Sequence, residues 1–313
     1  MYKKKYKVLV TWKKIKENFH LYKTFFSEKN ITIDFNLPLQ SHSEKELLKF
    51  IHRYDGVICG DDNFTSKVLD AAGNLKVISK WGTGTDSIDL PYAKKKKIKV
   101  YNSPGIFTES VCVFALGLMI SASRKIIELN QNLKDSNWHQ ITGDGFEGKT
   151  LGIVGYGDIG KRLYSLLKPL KLKILVNEKN KNKINKKISF CSKKNLILKS
   201  DFIIIAADLN KSSFHFLDKN EFKILKKEVV IINIARGPII NNKELILFLK
   251  KNLKAFACLD VFENEPLTKN NPFTYLKNCI ITPHNAYNTN SSVQNTNFNT
   301  VKNLIKGLNI KNV

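Results

Sequence analysis

Arginine is nearly absent from this chain. Of 52 Lys+Arg residues only four are arginine, Arg53, Arg124, Arg162 and Arg236. A nucleic-acid surface concentrates arginine and interleaves aromatics with it. Here the cations are lysines spread along the whole chain among abundant Asn and Ile. The net charge of +25 is therefore read as a solvated lysine coat, and no nucleic-acid or membrane partner is expected. Cysteine is sparse as well. The five residues Cys59, Cys112, Cys191, Cys258 and Cys279 are odd in number and scattered, with no CxxC pair. That speaks against a zinc site and suits a reducing cytosol, so a cytoplasmic location and no metal are expected. Long apolar runs are missing too. The basic N-terminus holds only "VLV", too short for a signal-peptide core. The stretch "VCVFALGLMI" (111–120) is too short to span a bilayer.

What is present is alternation. With 313 residues, 42% of them hydrophobic, the chain can bury a large core and is expected to form two domains. Strands are expected at "YKVLVTW" (6–12), "ITIDFNL" (31–37), "DGVICG" (55–60), "LKVISKWG" (75–82) and "KVYNSPG" (99–105). Between them, "KIKENFHLYKTFF" (14–26), "SEKELLKFIH" (43–52) and "TSKVLDAA" (65–72) read as helices. Strands alternating with helices imply an α/β fold with parallel sheets covered on both faces. A helix over 109–127, apolar on nearly every side, is expected to lie between domains or subunits. A second α/β series runs from Lys149 to about His284. The Lys/Asn-rich stretch 179–187 reads as an exposed loop, and 301–308 as a final helix.

Within "KTLGIVGYGDIGKRL" (149–163) the glycines fall as Gly155-x-Gly157-x-x-Gly160. The spacing alone is weak, but this one follows a strand and opens a helix, which is what its mechanism needs. Gly155 allows the tight turn, Gly157 lets a pyrophosphate approach the backbone, and Gly160 lets helix and strand pack closely. The next strand, "LKILV" (172–176), leads to Glu178, which can bind both hydroxyls of an adenosine ribose. A carboxylate there repels a 2′-phosphate, favouring NAD over NADP. Lys179 and Lys181 pull the other way.

Three further residues end apolar strands: Arg236 after "VVIINIA", Glu265 after "AFACLDVFEN" and His284 after "NCIITP". In doubly wound sheets ligands bind at the carboxyl ends of strands. A guanidinium can clamp a carboxylate at two points, and an imidazolium can donate a proton to a carbonyl oxygen as hydride reaches its carbon. A neighbouring carboxylate keeps the imidazole protonated. Singly, each has a plainer explanation: a core ion-pair partner for Arg236, a turn residue for Glu265, a structural histidine for His284. The catalytic reading requires all three to face one place. His20, His42, His52, His139 and His215 receive no role.

These motifs resemble the D-isomer-specific 2-hydroxyacid dehydrogenases, a family that includes phosphoglycerate dehydrogenase and glyoxylate/hydroxypyruvate reductase. The resemblance is carried by "SKWGTGTDSIDL" (79–90), "NSPGIFTESVCVFALGLM" (102–119), "GKTLGIVGYGDIGKRL" (148–163), "INIARGPIIN" (232–241), "LDVFENEP" (259–266) and "ITPHNA" (281–286). It implies Arg236, Glu265 and His284 as catalytic. It also implies cofactor contacts from Gly155, Gly157, Asp158, Ile159, Gly160, Glu178, Ala235 and Asp260, the last near the nicotinamide amide. Gly82, Thr83, Gly84 and Asn102, with Arg236, match the family's substrate-binding positions. The implied architecture is a flavodoxin-like substrate domain over 1–100, completed by a C-terminal helix in 287–313. A Rossmann NAD-binding domain over 101–286 would close with it over a cleft. The helix 109–127 resembles the family's dimer-forming element, so a homodimer is expected. The implied activity is hydride transfer between NAD(H) and a D-2-hydroxyacid/2-oxoacid pair. An alternative is an NAD-binding sensor or corepressor-like scaffold without significant turnover. One departure bears on the substrate. Where phosphoglycerate dehydrogenases tend to carry basic residues, this chain reads "CGDDNFT" (59–65), and Asp61 and Asp62 would repel a phosphate.

Overall fold

Short β-branched runs separated by amphipathic stretches fold here into two parallel sheets. In the computed structural model, which describes residues 5–180 and 188–310, the chain divides into two units, Met1–Phe107 with Thr289–Val313, and Thr108–Asn288.

The first unit holds β1 (Tyr6–Val10), α1 (Lys13–Glu17), α2 (Lys23–Glu28), β2 (Ile31–Phe35), α3 (Glu44–Leu47), β3 (Gly56–Cys59), α4 (Ser66–Ala71), β4 (Val77–Lys80), α5 (Leu90–Lys95) and β5 (Lys99–Tyr101). Its sheet runs β2-β1-β3-β4-β5, all parallel, the flavodoxin-like order of a doubly wound sheet. Every position of β3 and β4 is buried, as expected of central strands covered on both faces. Because β5 pairs with β4 as far as Tyr101, this unit extends past residue 100 to Phe107. Its core gathers Leu9, Val57 and Ile78 from the strands with Leu47 and Val68 from the helices.

The helix expected over 14–26 is broken in two. Asn18 turns its amide back onto the Lys14 carbonyl at 2.9 Å, ending α1 by a bond that competes with helix continuation. The final helix is longer than its apolar signal. It is called α12 (Asn290–Gly307), and Thr289 caps it by accepting from the Ser292 amide. Much of what it buries is polar. Thr296, Asn297 and Thr300 are at most 1% exposed. The Asn297 side chain accepts from Trp81 Nε1 at 2.6 Å, and the Thr300 carbonyl accepts from Ser79 Oγ at 2.7 Å.

The second unit opens with α6 (Thr108–Ser123) and α7 (Ile126–Lys134). These replace the single helix expected over 109–127. Lys125 sits at φ +55 in the left-handed region, which an α-helix of L-residues cannot pass through, and the two axes differ by 62°. Within the single chain, Val113 of α6 is 52% exposed. Then follow β6 (Thr150–Val154), α8 (Asp158–Leu167), β7 (Lys173–Asn177), α9 (Lys193–Lys199), β8 (Phe202–Ile205), α10 (Lys219–Ile224), β9 (Val230–Asn233), α11 (Asn242–Lys251), β10 (Phe256–Leu259) and β11 (Cys279–Ile281). The sheet order is β11-β10-β9-β8-β6-β7, all parallel. An isolated parallel bridge joins Val176 of β7 to Phe190 on its outer side. Counted as a vestigial strand, it gives the Rossmann order, with β6 at the centre and the switch of direction between β6 and β8. Ile203, Ile231 and Ala257 pack with Leu245 and Phe248 in its core. Of the loop expected over 179–187, Lys179 and Asn180 are exposed and 181–187 lies outside the described residues. Among the described residues no single helix is long and apolar enough to cross a membrane, and no group of three His, Cys, Asp or Glu side chains could hold a metal ion.

Candidate active site

The glycine turn after β6 separates into two kinds of position. Gly155 has φ +94, and a Cβ there would stand 2.7 Å from the Ala207 backbone beyond β8. A Cβ on Gly160 would strike the Gly155 carbonyl. Packing therefore dictates these two. Gly157 differs, because a Cβ there would meet no atom within 4 Å. None of the described residues fills that space, and no side chain among them caps α8, which begins one residue later. The first-turn N–H groups and the helix dipole together suit an anion approaching the bare backbone. Asp158 is exposed and Ile159 half-buried at this turn. Glu178, just past β7, accepts from the Tyr156 amide at 2.8 Å and from the Asn180 amide at 2.8 Å. Its carboxylate thus sits at the rim of the same turn. Bare glycine, helix terminus and carboxylate fit the pyrophosphate and adenosine ribose of a dinucleotide.

Farther along the sheet three strands end in register. Leu259 of β10 pairs with Asn233 of β9 on one side and Ile281 of β11 on the other. Adjacent strands lie about 4.8 Å apart, so the loops carrying Arg236, Glu265 and His284 leave the sheet side by side. Two contacts tie them together. A Cβ on Gly237 would strike the backbone of Phe262 and Glu263, so the arginine's loop lies directly on the glutamate's. Across the next gap, His284 Nδ1 is 2.9 Å from Glu265 Oε2, and the other carboxylate oxygen accepts from the Phe262 amide at 2.9 Å. Both side chains keep about a fifth of their surface exposed, 24% and 20%, enough to meet a small molecule. Arg236 is half-buried and donates from Nη1 to the Ala235 carbonyl at 2.8 Å.

Two residues outside the sequence-based site do the positioning. Asn233, 1% exposed, donates to the Arg236 carbonyl at 3.0 Å and accepts from the Ala235 amide at 3.1 Å. A polar residue ending a wholly apolar strand was its only signal. Thr282 donates to Asp260 Oδ1 at 2.6 Å. Asp260 itself is fully buried. Its carboxylate also accepts from the amides of Asn285 and Ala286 at 2.8 and 2.9 Å, and its carbonyl accepts from the His284 amide at 2.8 Å. Residues 284–286 are thus wrapped around Asp260, with His284 held at φ +50, a conformation that persists only where surroundings impose it. Burial pushes the Asp260 carboxyl above its ordinary range, against the opposing pull of the bonds from Thr282, Asn285 and Ala286.

In the first unit the segment after β4 is equally fixed. Gly82 has φ +135, its carbonyl accepts from the Ser103 amide at 2.8 Å, and Thr83 Oγ1 donates to the Ser103 carbonyl at 3.1 Å. Asn102 donates to the Thr83 carbonyl at 2.7 Å and is itself held through its carbonyl by Asn303 of α12 at 3.1 Å. Gly84 is half-buried. The expected pair of repelling carboxylates after β3 is corrected. Asp62 is 1% exposed and accepts from Thr11 Oγ1, the His42 amide and the Gly60 amide at 2.6, 2.7 and 3.1 Å. It staples the loop. Only Asp61 remains, and it pairs with Lys80 at 2.9 Å.

Comparison with known proteins identifies the family. Residues 116–286 match the model of the D-isomer specific 2-hydroxyacid dehydrogenase NAD binding domain. The chain is 35% identical over 274 residues to a glyoxylate reductase of Thermofilum pendens, covering 84% of this chain and 81% of that one. It is 32% identical over 275 residues to a hydroxypyruvate reductase of Thermotoga maritima, covering 86% and 90%. The crystal structure of the TT0316 protein from Thermus thermophilus superposes with a TM-score of 0.84 at 25% identity over 97% of each chain. The chain belongs to the D-isomer-specific 2-hydroxyacid dehydrogenases, NAD-dependent oxidoreductases that move a hydride between a D-2-hydroxyacid and its 2-oxoacid.

Proposed function

We propose that the enzyme reduces small 2-oxoacids such as glyoxylate and hydroxypyruvate, with Arg236, Glu265 and His284 as its catalytic residues. The observation that carries this is the His284–Glu265 contact of 2.9 Å beside the loop that presents Arg236. Arg236 grips the substrate carboxylate with its two-pronged guanidinium. In the first unit, Gly82, Thr83, Gly84 and Asn102 are the substrate-binding positions. When bound, NAD(H) supplies or takes up the hydride at the substrate's second carbon. His284, with Nδ1 engaged by Glu265, transfers the proton through Nε2: to the 2-oxo oxygen in reduction, from the hydroxyl in oxidation. Glu265 orients the imidazole and favours its protonated form. Asp260 and Asn233 hold these groups in place. For Asp260 this positioning role is better supported than a nicotinamide contact, because the loop of His284 uses both its oxygens.

NAD is preferred over NADP, because the Glu178 carboxylate at the turn would face a 2′-phosphate. Lys179 is drawn aside toward the Ser212 carbonyl at 3.3 Å and offsets this weakly. Two copies associate through the apolar surface of α6 and α7, where Val113, Ile126, Ile127 and Leu133 are 47–56% exposed, and the dimer works in the cytoplasm. A non-catalytic sensor or scaffold is not favoured, since relatives that match over more than four-fifths of the chain are named as reductases.

The test is NADH oxidation with glyoxylate, hydroxypyruvate, pyruvate and 3-phosphohydroxypyruvate side by side, repeated with NADPH. Turnover of the small oxoacids with NADH is expected. Silence across the panel would leave only dinucleotide binding.

A further inference from the structure

The first unit contains a charge pair with a buried lysine that hydride transfer does not use. Lys80 ends β4 with its side chain only 3% exposed, and its ammonium lies 2.9 Å from Asp61 Oδ1. Asp61 follows β3, the neighbouring strand, and its side chain is 36% exposed. The ammonium also donates to the Trp81 carbonyl at 3.4 Å. It would stand 3.4 Å from a Cβ placed on Gly82, so the pair borders the glycine loop directly. An apolar wall closes one side. The Trp12 ring fills the space above Gly60, so that a Cβ there would strike it, and its centroid is 5.2 Å from that of Trp81. In such surroundings an unpaired ammonium is costly and strongly seeks an anion.

We propose that Asp61 is a charge filter: it neutralises Lys80 beside the Gly82–Thr83–Gly84 loop, so the enzyme accepts 2-oxoacids with a small uncharged substituent and rejects those whose substituent carries a second anionic group. This rests on the assignment of that loop to the substrate. A distal phosphate or carboxylate would meet the Asp61 carboxylate first. To reach Lys80 it would have to displace a partner held by the chain itself. Removing that carboxylate leaves the ammonium without this partner, and a substrate's own anionic group can take the place.

The experiment compares kcat/KM for hydroxypyruvate and 3-phosphohydroxypyruvate in the wild type, Asp61→Ala, the bulkier Asp61→Asn, and the double variant Asp61→Ala/Lys80→Met. Circular dichroism verifies folding. The wild type is expected to favour hydroxypyruvate. Asp61→Ala shifts the ratio toward the phosphorylated substrate by about tenfold or more, the equivalent of one recovered charge contact. Asp61→Asn shifts it in the same direction by less, and the double variant returns it to the wild-type side. An unchanged ratio in folded Asp61→Ala and Asp61→Asn overturns the filter while leaving the dehydrogenase intact. A wild type that already prefers the phosphorylated substrate also overturns it. Absence of turnover with every oxoacid removes the assignment on which the filter rests.

Discussion

The two sheets finish differently at their carboxyl edges. At β9, β10 and β11 the second unit presents charged side chains that fix one another. His284 is bound to Glu265, Glu265 to the Phe262 amide, and the His284 loop is wrapped around a buried carboxylate. At β3 and β4 the first unit presents glycines, a backbone held by side-chain amides, and a charge pair that cancels itself. Under the proposed function, the difference separates two tasks. Moving a proton and gripping a carboxylate require particular ionisable groups at fixed geometry, so that edge tolerates little change. Choosing among oxoacids requires only that a surface fit or repel a substituent, so that edge can vary without touching the chemistry.

Substitution of Asp61 at the first edge should therefore change which substrate is used, and substitutions at the second should abolish use of all. The largest effects are expected from His284→Gln and Arg236→Lys, each lowering kcat/KM for every oxoacid by about a hundredfold or more. The lysine keeps the charge but loses the two-pronged grip. A near-normal rate in Arg236→Lys would make the arginine a structural cation instead. Next comes Asp260→Ala, which leaves donors at Thr282, Asn285 and the buried Ala286 without their acceptor. It should destabilise the fold by about 3 kcal/mol, seen as a lower melting temperature, with kcat falling alongside. Unchanged stability would mean the loop does not depend on Asp260.

A smaller, more selective effect separates the glycines. Gly157→Val should melt near the wild-type temperature but bind NADH about tenfold or more weakly. Gly160→Ala should lose stability by about 1–3 kcal/mol through its clash with the Gly155 carbonyl. If Gly157→Val bound NADH normally, the open space beside that residue would have another purpose. The smallest difference expected is between the two cores. Burial pushes the thiols of Cys59 and Cys258 well above the ordinary range and raises Cys112 and Cys279 to about 12. Thiolate forms only as pH approaches the pKa, so at pH 8 iodoacetamide should label the half-buried Cys191 first. Early labelling of Cys59 alone would show the first unit opening independently.

Much of the second edge was legible in the sequence, because its chemistry restricts residue type and its fold restricts position. A glycine turn between strand and helix, and three ionisable residues each ending an apolar run, admit few arrangements. The supporting residues were hidden. Asp260 was marked by the resemblance only as a cofactor contact, and the fold alone shows its oxygens turned onto residues 282–286. Lys80 reads as an exposed lysine at a strand end, and nothing local announces a partner nineteen positions earlier. The break at Lys125 was equally silent, since a lysine carries no mark of a left-handed backbone. The length of α12 escaped because its buried face is built from Thr and Asn, which an apolar periodicity does not count.

The most direct measurement is the pH dependence of kcat/KM for hydroxypyruvate reduction by the wild type and by Glu265→Gln. Glu265 at 2.9 Å from the imidazole favours the imidazolium. Without it the imidazolium loses its partner, so the alkaline limb of the profile should move to lower pH. Profiles that superpose would contradict a proton donor held and charged by its neighbouring carboxylate.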